Sequence, residues 1–143
     1  MSYKVHYFAV PGRAEVARLC LSIGGIPYEL FTPTYYMPLE ERIKARQEII
    51  AGKGKDKLEQ MSKMLGALDG GFVAGPKLSF ADLSIFSALS SVVSGMYDGV
   101  PANLLEQYPA LKAFRNKVAN EPGVKAFYEK NGEGLRASFK PDA

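Results

Sequence analysis

Apolar and polar residues alternate at the start of the chain. Tyr3 to Val10 is rich in aromatic and β-branched types, which predicts a strand broken by Pro11-Gly12. The period then changes. Val16, Leu19, Cys20 and Ile23 recur at i, i+3, i+4 and i+7 and predict a helix over 13–23, stopped by Gly24-Gly25. A second strand-like run, Ile26 to Thr32, ends at Pro33. Strand, helix and strand with short turns predict a βαβ unit whose strands are parallel neighbours.

From Pro38 the pattern is helical to the end. Leu39, Ile43 and Ile50 form one stripe as far as Ala51, and Gly52-Lys53-Gly54 interrupts it. Leu58, Met61, Leu65 and Leu68 form the next, ended by Asp69-Gly70-Gly71. After a connector, Phe72 to Leu78, Ser79 and Asp82 form a capping-box variant with Asp in place of Glu or Gln. The helix it opens carries Leu83, Phe86, Leu89, Val93 and Tyr97 on one face and no charge from Leu83 to Tyr97. Such a helix is expected at the centre of a bundle. Pro109 opens a helix with Leu111, Phe114 and Val118, and Pro122 opens another with Val124, Phe127 and Tyr128. The Gly-rich polar tail after Asn131 is expected to be loose.

Composition narrows the function classes. The 143 residues are 47% hydrophobic and 23% charged, an ordinary globular balance with a formal charge of +3. Arg42 to Lys63 holds seven basic and three acidic residues, including Lys53, Lys55 and Lys57. Runs like this are ordinarily solvated faces, and no nucleic-acid partner is expected. One cysteine and one histidine leave no intramolecular disulfide and no expected metal site. Cys20 lies on an apolar stripe and reads as core packing. His6 has no acidic partner near it in sequence. No apolar leader follows Met1 and no run reaches the ~20 apolar residues of a bilayer span, so a cytoplasmic-type soluble compartment is expected.

Three local patterns bear on chemistry. Tyr7-Phe8 ends the first strand and Gly12-Arg13-Ala14-Glu15 opens the first helix. Leu78-Ser79-Phe80-Ala81-Asp82 caps the uncharged helix. Tyr108-Pro109-Ala110-Leu111 is followed by Phe114, Lys117-Val118, Pro122 and Val124. Taken alone, Tyr7 reads as a half-buried strand aromatic and Arg13 as a solvated first-turn residue. In this order, however, the patterns resemble the cytosolic glutathione S-transferases, closest to the sigma and alpha-like classes that use a tyrosine. The resemblance covers most of residues 3–30 and 56–130. Its most specific parts are the Ser-Phe-Ala-Asp capped helix and the Pro-x-Leu-x-x-Phe helix.

That resemblance implies a mainly α fold with a small βαβ unit. A reduced thioredoxin-like part, residues 1–37, would sit beside an all-α C-terminal domain, residues 38–143. It also implies roles for two residues. Tyr7 would donate its phenol O–H to the glutathione sulfur and stabilise the thiolate of a group whose free pKa is about 8.5. Arg13 would support it, and both would contact glutathione as co-substrate.

The same resemblance shows what is missing. The family's first domain continues past βαβ through another helix, two further strands and a third helix, whereas Pro33 to Pro38 here runs straight into helical sequence. The family binds the γ-glutamyl end of glutathione with a Gln-Ser or Glu-Ser pair, and this chain has neither. The family also holds the tripeptide backbone beside a cis-proline that precedes a strand. Neither Pro33 nor Pro38 is followed by a strand-like run.

Three readings follow. In the first, the chain is a non-catalytic binding or structural subunit of a larger assembly, because catalysis by positioning fails without the positioning groups. Its partner would dock on the unpaired first strand or on a face of the bundle. The segment Pro33 to Pro38 is an alternative cover for that strand, and its Tyr35-Tyr36-Met37 cluster fits either that cover or the lining of a hydrophobic ligand pocket. In the second, the chain is an active glutathione transferase acting on hydrophobic electrophiles. In the third, it is an aberrant product of splicing or gene prediction.

Overall fold

The computed structural model describes residues 3–6, 23, 26, 28–31 and 37–142, and the fold is mostly helical. Tyr7, Arg13, Cys20, nearly all of the predicted first helix and the Tyr35-Tyr36 pair lie outside the described residues. The chain divides into two compact units, Met1–Arg42 and Ile43–Ala143.

In the first unit, β1 (Tyr3–His6) and β2 (Tyr28–Phe31) pair in parallel, with Tyr3 opposite Tyr28 and His6 opposite Phe31. Parallel neighbours joined by a crossover are what the strand–helix–strand pattern predicts. Ile23 is helical but 84% exposed, so it does not serve as the core position that its place on the apolar stripe implies.

α1 (Leu39–Ile49) passes into a π turn, Ile50–Gly54, where Gly52 leaves helical geometry at φ −104°, ψ −117°. α2 (Lys55–Gly66) follows, so the Gly-Lys-Gly interruption lies where the sequence puts it. The chain turns after α2 through Asp69 and Gly70, both with positive φ (44° and 75°). The Lys117 ammonium closes this turn. It donates to the carbonyls of Gly70 and Gly71 and lies 3.7 Å from the centre of the Phe72 ring.

α3 (Phe80–Val92), α4 (Pro109–Ala119) and α5 (Pro122–Asn131) complete the helices. The core joins Leu65 of α2, Phe86 and Leu89 of α3, and Leu111, Phe114 and Val118 of α4, with Leu104, Leu105 and Tyr108 between α3 and α4. α4 is the central helix. It packs on both α2 and α3, and Leu111, Val118 and Ala119 are fully buried.

Two expectations are corrected here. α3, which carries no charge after Asp82, is not the centre of the bundle, a place that α4 takes: Phe80 is 85% exposed, and Leu83, Ser84, Ser87 and Ala88 also face out. It also stops at Val92 and not at Tyr97. The Ser94 hydroxyl donates to the Ser91 carbonyl at 2.7 Å, and Gly95 adopts φ 81°, which turns the chain out of the helix. The tail is not loose either. Gly134–Phe139 forms a 3-10 helix held to α3, with Phe139 edge-on to Phe86 at 5.7 Å and 5.0 Å from Tyr128.

Candidate functional site

The two residues to which the sequence assigns chemistry, Tyr7 and Arg13, fall outside the described residues; Tyr7 follows directly on His6, the last paired residue of β1. The described chemistry lies in the helical unit and gathers at four places.

The first is Asp82, which is fully buried. Its carboxylate accepts from the Ser79 hydroxyl, from the Ser79 N–H at 2.8 Å and from the Val73 N–H at 2.8 Å. The capping box expected from the sequence is therefore present, and it also ties the 72–78 connector to the start of α3. Burial pushes the Asp82 carboxyl up, but the hydrogen bonds to the ionised form together outweigh it and hold the pKa below the usual 3.8. A carboxylate fixed in this way is structural: it is held by the Ser79 hydroxyl and two backbone N–H groups.

Two buried arginines form the second and third places. Arg115 (6% exposed) donates to the Asp142 carboxylate at 2.7 Å and to the carbonyls of Ser138 and Lys140. Arg46 (7% exposed) meets the Asp98 carboxylate at 3.2 Å and lies over the Tyr97 ring at 5.5 Å. Sequence reading passed over both, although a signal was available. Arg115 sits on the stripe Leu111, Phe114, Val118, and Arg46 on the stripe Ile43, Ile50. A charge at a buried helical position requires a partner.

The fourth place is a pair of grooves. One, of about 350 Å³, runs between α3 and α5 and is lined by Leu83, Phe86, Val124, Phe127 and Tyr128. With Phe80 and Phe127 largely exposed beside it, this is an apolar face. The other, of about 710 Å³, opens between the π turn and the segment 99–108. Burial raises the pKa of Tyr128, on the first groove, above its ordinary 10. Among the described residues there is no cluster of three or more metal-ligating side chains, and no helix is long and apolar enough to cross a membrane.

The chain has recognisable relatives. Residues 27–131 match the family model described as the glutathione S-transferase C-terminal domain. The chain is 32% identical over 103 residues to a glutathione S-transferase A of Cavia porcellus, covering 71% of this chain and 44% of that protein. It is 28% identical over 85 residues to a glutathione S-transferase P 10 of Caenorhabditis elegans, covering 59% and 38%. It is 36% identical over 72 residues to an S-crystallin 4 of Enteroctopus dofleini, covering 49% and 31%. The chain thus spans less than half the length of these curated relatives. No solved structure matches at comparable significance. The family match spans most of the chain, including the capped helix α3 and the Pro-led helix α4, and the chain belongs to the glutathione S-transferase family.

Proposed function

We propose that this chain is a binding or structural member of the glutathione S-transferase family, a subunit of a larger assembly and not a self-sufficient transferase. One observation carries the reading: only seven residues, 32–38, separate the end of β2 at Phe31 from the start of α1 at Leu39. The family's first domain places two more strands and two more helices in that interval. Seven residues span at most about 25 Å fully extended and leave no room for them. The absence of any Gln-Ser or Glu-Ser pair points the same way, because the γ-glutamyl end of glutathione would lose its expected partners. On this reading residues 1–37 are a shortened thioredoxin-like remnant, residues 38–143 are the family's helical domain, and the compartment is cytoplasmic. That one relative is named a crystallin and not a transferase is consistent with a non-catalytic role.

The partner is a protein. Among the described residues β1 pairs with β2 alone, and the outer edge of β1 is the place for strand addition. The exposed Phe80, Leu83 and Phe127 offer a second contact face on the bundle. Protected amides across residues 3–10 in a stable monomer would argue against docking through the strand.

The competing reading, an active glutathione transferase, rests on the Tyr7 and Gly12-Arg13-Ala14-Glu15 pattern. There Tyr7 stabilises the thiolate and Arg13 assists. The deciding experiment is a calorimetric glutathione titration with a conjugation assay on the wild type and Tyr7→Phe. Silence in both, with a mass in solution above that of the monomer, is the expected result. Measurable affinity, together with activity lost in Tyr7→Phe, overturns it.

A further inference from the structure

We infer that the Asn131–Gly132 pair is a self-modification site, where water converts the Asn131 carboxamide to aspartate and isoaspartate without an enzyme, assisted by Lys140. The reaction runs through a five-membered ring. The Gly132 backbone nitrogen, once its proton has gone to a solvent base, attacks Asn131 Cγ. The new C–N bond closes a succinimide, the Cγ–Nδ2 bond breaks, and the nitrogen leaves as ammonia with a proton from water. Water then opens the ring at either imide carbonyl and gives aspartate or isoaspartate. One water is consumed, one ammonia is released, and no electrons change hands.

The end of α5 is built for this attack. Asn131 is the last residue of the helix and is exposed, so its carboxamide is open to water. The residues that cap α2, α3 and α4, Ala67, Val93 and Asn120, each donate their N–H back into the helix. At α5 the peptide plane between Asn131 and Gly132 differs. Among the described residues its carbonyl has no donor and its N–H has no acceptor. The plane can therefore turn toward the Asn131 side chain without breaking the helix ladder, as the last turn frays. A Cβ at position 132 would strike the Tyr128 carbonyl oxygen and the Lys140 side chain, so the close packing requires glycine there. Glycine in turn leaves the attacking nitrogen unshielded. One bond opposes the turn, from Asn131 Nδ2 to the Phe127 carbonyl at 2.8 Å, and it is exposed to competition from water.

Lys140 supplies the charge. Its side chain crosses Gly132, and its ammonium lies one bond beyond the Cε that a Cβ at 132 would meet. A cation there favours the nitrogen anion from which the attack begins. The chain's other asparagines lack this setting. Asn103, Asn116 and Asn120 precede Leu104, Lys117 and Glu121, whose side chains crowd the attacking nitrogen. Asn116 and Asn120 are also tied to one another, and Asn116 accepts from the Asp142 N–H. Conversion at Asn131 has a structural consequence. It removes the bond to Phe127 and puts a carboxylate at the negative end of the α5 dipole. Isoaspartate further adds a main-chain carbon just before the Gly134–Phe139 turn, so the end of α5 and the tail should loosen.

The test holds the full chain at about pH 8 and about 37 °C and follows the one-dalton gain at each asparagine by peptide mass spectrometry. Asn131 should convert about tenfold or more faster than Asn103, Asn116 and Asn120. Its rate in the folded chain should stay within about fivefold of its rate in urea, because the fold does not lock the 131–132 plane. Lys140→Gln should slow it about two- to fivefold. Asn131→Gln, which would need a six-membered ring, should show no gain over the same period. Hydrogen exchange of the aged protein should rise across residues 128–139 and stay unchanged in α4. Equal rates at all four asparagines, stronger protection of Asn131 in the folded chain, an unchanged rate in Lys140→Gln, a gain in Asn131→Gln or unchanged exchange at the tail would each overturn the proposal.

Discussion

Arg115 and Asp142 lie 2.7 Å apart across 27 residues of sequence and fasten the C-terminal tail to the middle of the bundle. Arg115 also donates to the carbonyls of Ser138 and Lys140, while the Asp142 N–H donates to the Asn116 side chain at 2.9 Å. The Ser138 hydroxyl adds a bond to the Ser90 carbonyl. The tail thereby buries a guanidinium that α4 would otherwise hold unpaired among Leu111, Phe114 and Val118.

The two partners of that pair should respond unequally. Arg115→Ala leaves the carboxylate and two carbonyls without their donor and opens a gap in the core. It should cost about 2–4 kcal/mol. Asp142→Asn keeps a hydrogen-bond acceptor at a half-exposed position and should cost no more than about 1 kcal/mol. Urea unfolding followed by circular dichroism measures both. Equal losses would mean that the charge of the pair, and not the anchoring of the tail, dominates.

Asp82 gives a prediction in pH. Its carboxyl is held below its ordinary pKa of 3.8, so the folded state binds that proton less readily than the unfolded one. The resulting stability is fully present above about pH 4 and is lost as pH falls through the folded pKa. Asp82→Ala strands the Ser79 and Val73 N–H groups. It should cost about 2–4 kcal/mol at pH 7 and flatten the acid limb of the stability–pH curve. Thermal melts of both proteins from pH 2 to pH 7 show whether the two curves converge in acid.

How much of this was legible in the sequence depends on how far apart the partners lie. The Ser79–Asp82 cap spans three residues, and the Gly52 break and the α4 stripe are equally local, so spacing alone revealed them. The Arg115–Asp142 and Arg46–Asp98 pairs span 27 and 52 residues. Local periodicity marks only one end of each, as a charge on an apolar stripe. The exposed face of α3 was hidden for a different reason: serine and alanine are tolerated both in cores and on surfaces, so the lack of charge after Asp82 did not fix the environment of that helix. The candidate catalytic pair, Tyr7 and Arg13, was read from motif alone and lies outside the described residues.

Ser90 offers a gain of stability. Its side chain is fully buried in α3 and its hydroxyl oxygen has no partner, although its carbonyl accepts from Ser138. Ser90→Ala removes an unsatisfied polar atom, improves helix propensity and leaves the carbonyl in place. It should stabilise the fold by about 0.5–1 kcal/mol. A fall in the urea midpoint would show that the hydroxyl is satisfied in solution.

Gly99 tests how the large groove is built. It has φ 83°, and a Cβ there would lie 2.9 Å from Ile43 Cγ2 and 3.0 Å from Ile43 Cα. Gly99→Ala therefore combines left-handed backbone strain with a clash against a backbone atom of α1, and the expected loss is about 2–4 kcal/mol. Gly123→Ala is the control. It lies in the first turn of α5 with open space around it, and it should be neutral or stabilising by up to about 1 kcal/mol. Because Gly99 follows directly on Asp98 and lines the groove, its displacement should also separate Asp98 from Arg46, while Gly123→Ala leaves that pair in place. Paired melts of the two variants therefore test how much stability the close approach of Gly99 to α1 carries.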